Sequence, residues 1–599
     1  MKSLIDRISE RVAQALERVG VPGDPIVRES QNPQFGHFQS NCAMSAAKKA
    51  GKRPRELAAA IVKELDIEGV CEPPEIAGPG FINLRITPEY LSKCLGEIPP
   101  GDGSCEDRVG IDPHKSPVTV VVDMSSPNLA KELHVGHLRS TVIGDSVARI
   151  LEFAGHNVIR ENHVGDWGTQ FGMLVAHLRR TRPEIAENPR DLVIKDLEAF
   201  YVEAKNRFDT DEDFKREARE TVVALQQGDP KTRNIWRAFC DESMRHCNHI
   251  YDRLGFRAEY RGESYYNDEM RRVVARLEAQ MQADPDGPIR ISQGALCVFF
   301  DEKTLEPDGP PPLIARKSDG GFNYETSDLA AITHRVDTLG ATRIIYVVGV
   351  EQVAHFKKVF PTVRRIGWIG PEIELVHLAF GNMLAPSGKK YSTRDGGADK
   401  LETLLDEAVA RARRVVEGTN EGRSGDAAPM TEEEIDRIAE VVGLGAIKYF
   451  DLCHALTSHY KLDPDIMLSL DGNTAPYMMY AYARVRAIGR KAGVRFGDLP
   501  ADAPIIVQHP SEIALALALL RFAAVVDTIT RDLHPNVLTE YLYDLAKAFS
   551  RFYDRKVGVR VIDASSEATK LSRLKLCDLT ARTLRVGLRM LGIETLEKM

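Results

Sequence analysis

The chain has 599 residues, 43% hydrophobic and 28% charged, with a formal net charge of −8 at pH 7. That length exceeds what one hydrophobic core serves, so three or four domains are expected, and the ordinary globular balance excludes a disordered or fibrous chain. The acidic total argues against a simple nucleic-acid coater but leaves room for a local basic stripe.

The first helix is expected over 2–19, where Leu4, Ile5, Ile8, Val12 and Leu16 share one face. Its acidic residues and lack of an apolar centre are unlike a targeting signal. No apolar run of the roughly 18–20 residues that a membrane helix needs stands out, so a cytoplasmic chain with no membrane partner is expected. A second helical period covers 53–66, and GPGFINLRI at 78–86 alternates like a strand after a Gly-Pro turn. Together 1–110 reads as a small α+β module, with turn formers over 99–117 as its linker.

TVVVDM at 119–124 is a short continuous apolar run of the kind buried in a parallel sheet. A loop, a helical period over 138–156 and a second strand at 157–168 complete a βαβ unit. The charged stretch 185–285 reads as a helical insertion, after which α/β elements resume at 321–336, 342–352 and 375–397. The expectation for 111–433 is a doubly wound, Rossmann-like parallel sheet split by the insertion. A polar, Gly-rich joint at 416–433 leads into 434–599, expected to be an all-α domain.

Nine cysteines, an odd number without a CxxC pair, fit reduced thiols. Cys240, His246, Cys247 and His249 cluster without a second well-spaced pair, so no dedicated metal site is expected.

The segment with most chemical content is SSPNLAKELHVGH, 125–137, between a buried strand and a long helix. There a doubly wound sheet receives phosphates. His134 and His137, three apart, can face one side, and Gly136 between them permits close backbone approach. Two imidazole donors and a helix amino end suit charge developing on an attacked phosphate. Alone, such a pair is equally a chance or metal-binding pattern.

In its longer form, SSPNLAKELHVGHLRST followed by NHVGDWGTQFG at 162–172, this segment resembles the HIGH region of class I aminoacyl-tRNA synthetases, specifically the arginyl family. YETSDLAAI, YVVGVEQVAHF, KKYSTRDGG and DGNTAPYMMYAYAR extend the resemblance over nearly the whole chain. It implies arginine activation with ATP and magnesium, then transfer of arginine to the 3′ end of its tRNA, with no side-chain nucleophile. A monomer is expected. His134, Gly136, His137 and Lys390 match ATP-binding positions. Lys389, Lys390 and Arg394 belong to a degenerate KMSKS loop, with Thr393 where a second lysine is usual. Lys131, three residues before His134, stands where this family supplies the missing cation.

A guanidinium is planar, permanently charged and rich in donors, so its pocket should offer carboxylates, acceptors and an aromatic face. By resemblance Asn128, His137, Tyr324, Asp328 and Gln352 bind arginine, joined by Asp123 and Ser126. Two carboxylates converging on one buried site repel each other unless a cation binds. The helical carboxyl-terminal region resembles the family's anticodon-binding domain, and the first 110 residues its tRNA-corner module. Expected tRNA contacts are Phe35, Asn473, Tyr477, Tyr480, Arg484 and Arg585, the last on a stripe with Arg582 and Arg589. Rival readings are a small-molecule nucleotidyltransferase and a non-catalytic RNA-binding relative.

Overall fold

Val120, Val121 and Val122 are β-branched and fully buried, so they favour a strand covered on both faces. In the computed structural model they form β1 (Thr119–Asp123) at the centre of a five-stranded sheet. The structure describes residues 2–101, 106–194, 196–305, 311–318, 320–322, 324–385, 387–388, 400–421, 429–557 and 559–599. The chain divides into two compact units, Met1–Pro113 with Leu468–Met599, and His114–Met467.

The second unit holds the sheet. After β1 come α1 (Val135–Phe153), β2 (Asn157–Val164), α2 (Pro230–Leu254), β3 (Glu259–Gly262), α3 (Tyr324–Asp337), β4 (Arg343–Tyr346), α4 (Val353–Arg365) and β5 (Glu374–His377). The strands lie in the order β5-β4-β1-β2-β3 and every pairing is parallel. The chain first builds outward from β1 on one side and then restarts on the other. The switch point therefore lies between β1 and β4, where such sheets hold ligands beyond their strand ends. α1 is buried along most of its length, and Gly144 lets it approach closely, because a Cβ there would overlap Met124 at the end of β1.

Register puts Asp123 between Tyr346 on β4 and Glu161 on β2. Two neighbouring buried carboxylates need a cation, and Arg335 of α3 supplies it. Its Nη2 donates to Asp123 Oδ2 at 2.7 Å and Glu161 Oε1 at 2.5 Å, with the guanidinium fully buried. The Tyr266 hydroxyl donates to the same Glu161 oxygen at 3.1 Å. Burial alone would raise the Glu161 acid, but the Arg335 charge outweighs it and holds the group below the usual carboxylate range.

Several elements depart from the sequence reading. β3 lies inside the stretch expected to be a helical insertion; EYRG carries no apolar run because it is the sheet's edge. Ile289–Ser292, Ala295–Val298 and Leu313–Arg316 form a separate antiparallel sheet. Glu432–Leu452, expected to open the carboxyl-terminal domain, packs instead with Leu401–Glu421 and α1 in the sheet's unit.

The other unit joins the amino-terminal module to the carboxyl-terminal helices. Leu4, Ile8, Val12 and Leu16 bury one face of the helix Leu4–Arg18, beside a four-stranded antiparallel sheet. The Val507 N–H donates to Ser92 Oγ at 3.1 Å, and Arg582 grips Asp107 through two hydrogen bonds of 2.7 and 2.9 Å. The stretch Pro510–Asp532 is long and apolar enough to cross a membrane, contrary to the sequence expectation. It forms two helices, Pro510–Leu520 and Phe522–Asp532, and half of its apolar window is buried within the protein.

Replacing Arg335 with Met should leave Asp123 and Glu161 facing each other without a cation. Urea unfolding at neutral pH should then show a loss of about 3–5 kcal/mol. The deficit should shrink as pH falls far enough to protonate Glu161, since the repulsion disappears with the charge.

Candidate active site

The loop from β1 to α1 is held in an uncommon conformation. Ser125 and Ser126 both lie in the left-handed region, at φ 70° and 50°. For residues with a Cβ this costs about 1–3 kcal/mol each. The surrounding contacts hold it in place. The Ser125 N–H donates to Ser140 Oγ (2.8 Å), which donates to the Val347 carbonyl leaving β4 (2.6 Å). The Ser125 and Tyr251 hydroxyls lie 2.7 Å apart, and Asn162 Nδ2 donates to Tyr251 (3.1 Å). The Ser126 N–H donates to Asn162 Oδ1 at 2.9 Å. Residues of α1, α2, β2 and the exit of β4 thus set one loop shape.

At the loop's end His134 caps α1. Its Nδ1 accepts the Gly136 N–H at 3.0 Å, while its own N–H donates to His137 Nδ1 at 3.1 Å. Each Nδ1 is therefore an acceptor, which puts the ring proton on Nε2 in both neutral rings. The rings sit 3.9 Å apart, centroid to centroid. Burial, then the neighbouring His134, push the His137 pKa down to about 3. Gly136 is required by the cap itself: a Cβ there would stand 2.8 Å from two atoms of the His134 ring.

Across the switch point, Tyr324 and Asp328 stand on one face of α3, with Tyr324 60% exposed. Gln352 immediately precedes α4. Asn128 lies on the other side of the switch point; its Oδ1 accepts the Ala130 N–H at 3.0 Å, and it bridges Gly165. Asp123 is the exception among the expected arginine contacts. Arg335 takes its Oδ2, and Ser126 Oγ donates to Oδ1 at 3.2 Å, so its charge is answered inside the chain.

Two residues here were missed from sequence. Glu263, just beyond β3, has its carboxyl pushed up by burial and by the nearby Asp166 and Asp328 carboxylates, against the opposing influence of His163. It followed an edge strand with no readable period. His355, in the first turn of α4, places Nε2 2.5 Å from Asp328 Oδ2. Its sequence signal was its place three residues after Gln352.

Lys131 directs its ammonium at the Tyr201 ring, 4.6 Å from the centroid. Lys389, Lys390 and Arg394 lie outside the described residues. Just after them, Lys400 pairs with Glu132 at 2.9 Å and bridges His134, and the Leu401 N–H donates to the Leu133 carbonyl at 3.0 Å.

In the other unit, Phe35, Tyr480 and Arg484 are exposed. The Arg484 guanidinium lies 5.4 Å from the Tyr553 ring, and Tyr477 meets Tyr543 edge-on at 5.8 Å. Asn473 is half-buried in the turn before helix Ala475–Lys491. The expected basic stripe needs correction. Arg582 is buried on Asp107, Arg585 approaches the same carboxylate at 3.5 Å, and Arg589 donates to the Asp107 carbonyl at 3.1 Å. The stripe's charge is spent largely on an internal anchor.

Comparison with known proteins agrees over the full length. Residues 108–463 match the family of class I (R) tRNA synthetase catalytic domains, 478–599 the DALR anticodon binding domain, and 6–86 the arginyl tRNA synthetase N-terminal domain. The chain is 48% identical to an arginine–tRNA ligase of a Nostoc species and 45% identical to that of Trichodesmium erythraeum, covering all of each. Among solved structures it resembles the arginyl-tRNA synthetase of Plasmodium falciparum, with TM-score 0.83 at 28% identity. It also resembles that of Thermus thermophilus, with TM-score 0.79 at 26% identity. Each comparison covers the whole of both chains.

The depressed His137 pKa has a measurable consequence. In a histidine-selective NMR titration, the ring should stay neutral from pH 8 to 5, with its proton on Nε2. The unfolded ring takes up a proton near 6.5 and the folded one only near 3, so this group's contribution to stability falls as pH drops below 6.5. The slope is at most about 1.4 kcal/mol per pH unit.

Proposed function

The chain belongs to the arginyl-tRNA synthetases of class I, and from that premise we propose how its residues divide the work of an arginine–tRNA ligase. The reaction has two steps. The arginine carboxylate attacks the α-phosphorus of ATP, forming arginyl-adenylate and releasing pyrophosphate. A terminal ribose hydroxyl of the tRNA then attacks the adenylate carbonyl, and AMP leaves.

In this reading the Nε2–H groups of His134 and His137, at the amino end of α1, meet charge developing on the α-phosphate. Neutral rings suit the task because they donate without the cost of a buried extra charge. ATP arrives with magnesium as part of the substrate, and Lys131, Lys389, Lys390 and Arg394 stabilise the departing pyrophosphate. Catalysis is by positioning and charge stabilisation alone.

The observation that carries the amino-acid assignment is the acidic character of the pocket beyond β3, β1 and β4. Burial raises the Glu263 acid, and the nearby Asp166 and Asp328 carboxylates add to that rise. A bound guanidinium relieves both costs. Asp328 and Glu263 take the guanidinium, Tyr324 forms a wall, and Asn128, Gln352 and Ser126 hold the amino and carboxylate ends. Asp123 acts from beneath, through Ser126 and Arg335. Phe35, Asn473, Tyr477, Tyr480 and Arg484 offer stacking and phosphate contacts to tRNA, with Arg585 secondary. The enzyme works as a cytoplasmic monomer.

The deciding assay is charging of total tRNA with each labelled amino acid: arginine alone should be accepted, and charging with another amino acid overturns the reading. Within that assay, Asp328→Asn should raise the arginine KM roughly 30- to 1,000-fold, the size of losing one partner of a desolvated ion pair, with the ATP KM nearly unchanged.

A further inference from the structure

We propose that His355 is a positioning residue for the amino-acid substrate: its Nε2–H holds the Asp328 carboxylate in the orientation that receives the guanidinium edge. The inference rests on the assignment of Asp328 to the guanidinium made above.

The two residues come from different helices, Asp328 from α3 and His355 from the first turn of α4. Nε2 lies 2.5 Å from Asp328 Oδ2. An ionised carboxylate only accepts, so the histidine is the donor. That contact occupies Oδ2 and leaves Oδ1 for a second donor. A planar guanidinium binds well only when the carboxylate lies in its plane. An aspartate near a helix surface turns about χ2 at little cost, because that torsion has broad wells. A donor fixed on the neighbouring helix removes this freedom before the substrate arrives.

The ring is itself held. It lies 5.1 Å from Tyr324 and 5.2 Å from Phe356, centroid to centroid, and only 11% of its side chain is exposed. Its Nδ1 is buried with no hydrogen-bond partner among the described residues. The ring's polar contact is thus with Asp328, unlike an ordinary core histidine held through both nitrogens.

The kind of donor also matters. Asp123 is answered by Arg335, a permanent cation that cancels its charge. Asp328 is held instead by an imidazole, with no Arg or Lys paired to it among the described residues, which leaves its second oxygen for the substrate. One acidic group is thereby fixed as structure and the other kept available for recognition.

The test is ATP–pyrophosphate exchange by the full chain in the presence of tRNA, comparing H355F, H355Q, H355N and D328N. Phenylalanine keeps the ring without the donor, glutamine carries an amide N–H near the position of Nε2, and asparagine falls short of it. H355F should raise the arginine KM about tenfold to a hundredfold, the usual consequence of losing alignment, with the ATP KM and melting temperature little changed. H355Q should recover most of the loss. If H355F does not fold, the contrast carries the test: H355Q near the parent, H355N impaired in arginine KM. An unchanged arginine KM in H355F, or equal behaviour of H355Q and H355N, overturns the proposal. If D328N leaves the arginine KM unchanged, the guanidinium assignment itself fails, which is a different result from a silent H355F beside an impaired D328N.

Discussion

The buried guanidinium of Arg335 ties the site to the sheet. Asp123, at the end of β1, pairs in register with Glu161 on the adjacent parallel strand β2, so their carboxylates face the same region. Such a pair is tolerable only around a cation, and Arg335 donates one nitrogen to both. The same helix carries Asp328 two turns earlier. One ion cluster thus fixes the strand ends at the switch point and the helix that faces them. It also explains why Asp123, though it points towards the site, has no charge to spare.

A second constraint acts on the loop between β1 and α1. Two consecutive serines in the left-handed region persist because hydroxyls and an amide from three elements, α1, α2 and β2, hold them. The loop delivers the chain to α1 so that His134 can cap the helix and His137 can accept from the His134 backbone. These hydrogen bonds assign both ring protons to Nε2. Sheet, strained loop and capped helix make two preoriented neutral donors from side chains that would otherwise titrate close to neutrality.

What was readable in the sequence follows from how local each signal is. The run TVVVDM and the histidines at a helix entrance are local patterns, and the structure forms a buried strand and a capped helix there. The pairing of Asp123 with Arg335 is not legible, because the two lie 212 residues apart and no period links them. Glu263 went unnoticed because EYRG, an edge strand, buries too little to show alternation. The Arg582, Arg585 and Arg589 stripe looked free because its counterion, Asp107, belongs to the linker after the amino-terminal module. Buried charge pairs between distant segments are the features that composition and periodicity do not reveal.

We propose that one acidic group at the switch point is structural and another recognises substrate. A crystal structure of the chain with L-arginine tests it most directly. The substrate guanidinium should lie in hydrogen-bond contact with Asp328, with Arg335 still joined to Asp123 and Glu161. A guanidinium seated on Asp123 with Arg335 displaced would contradict it.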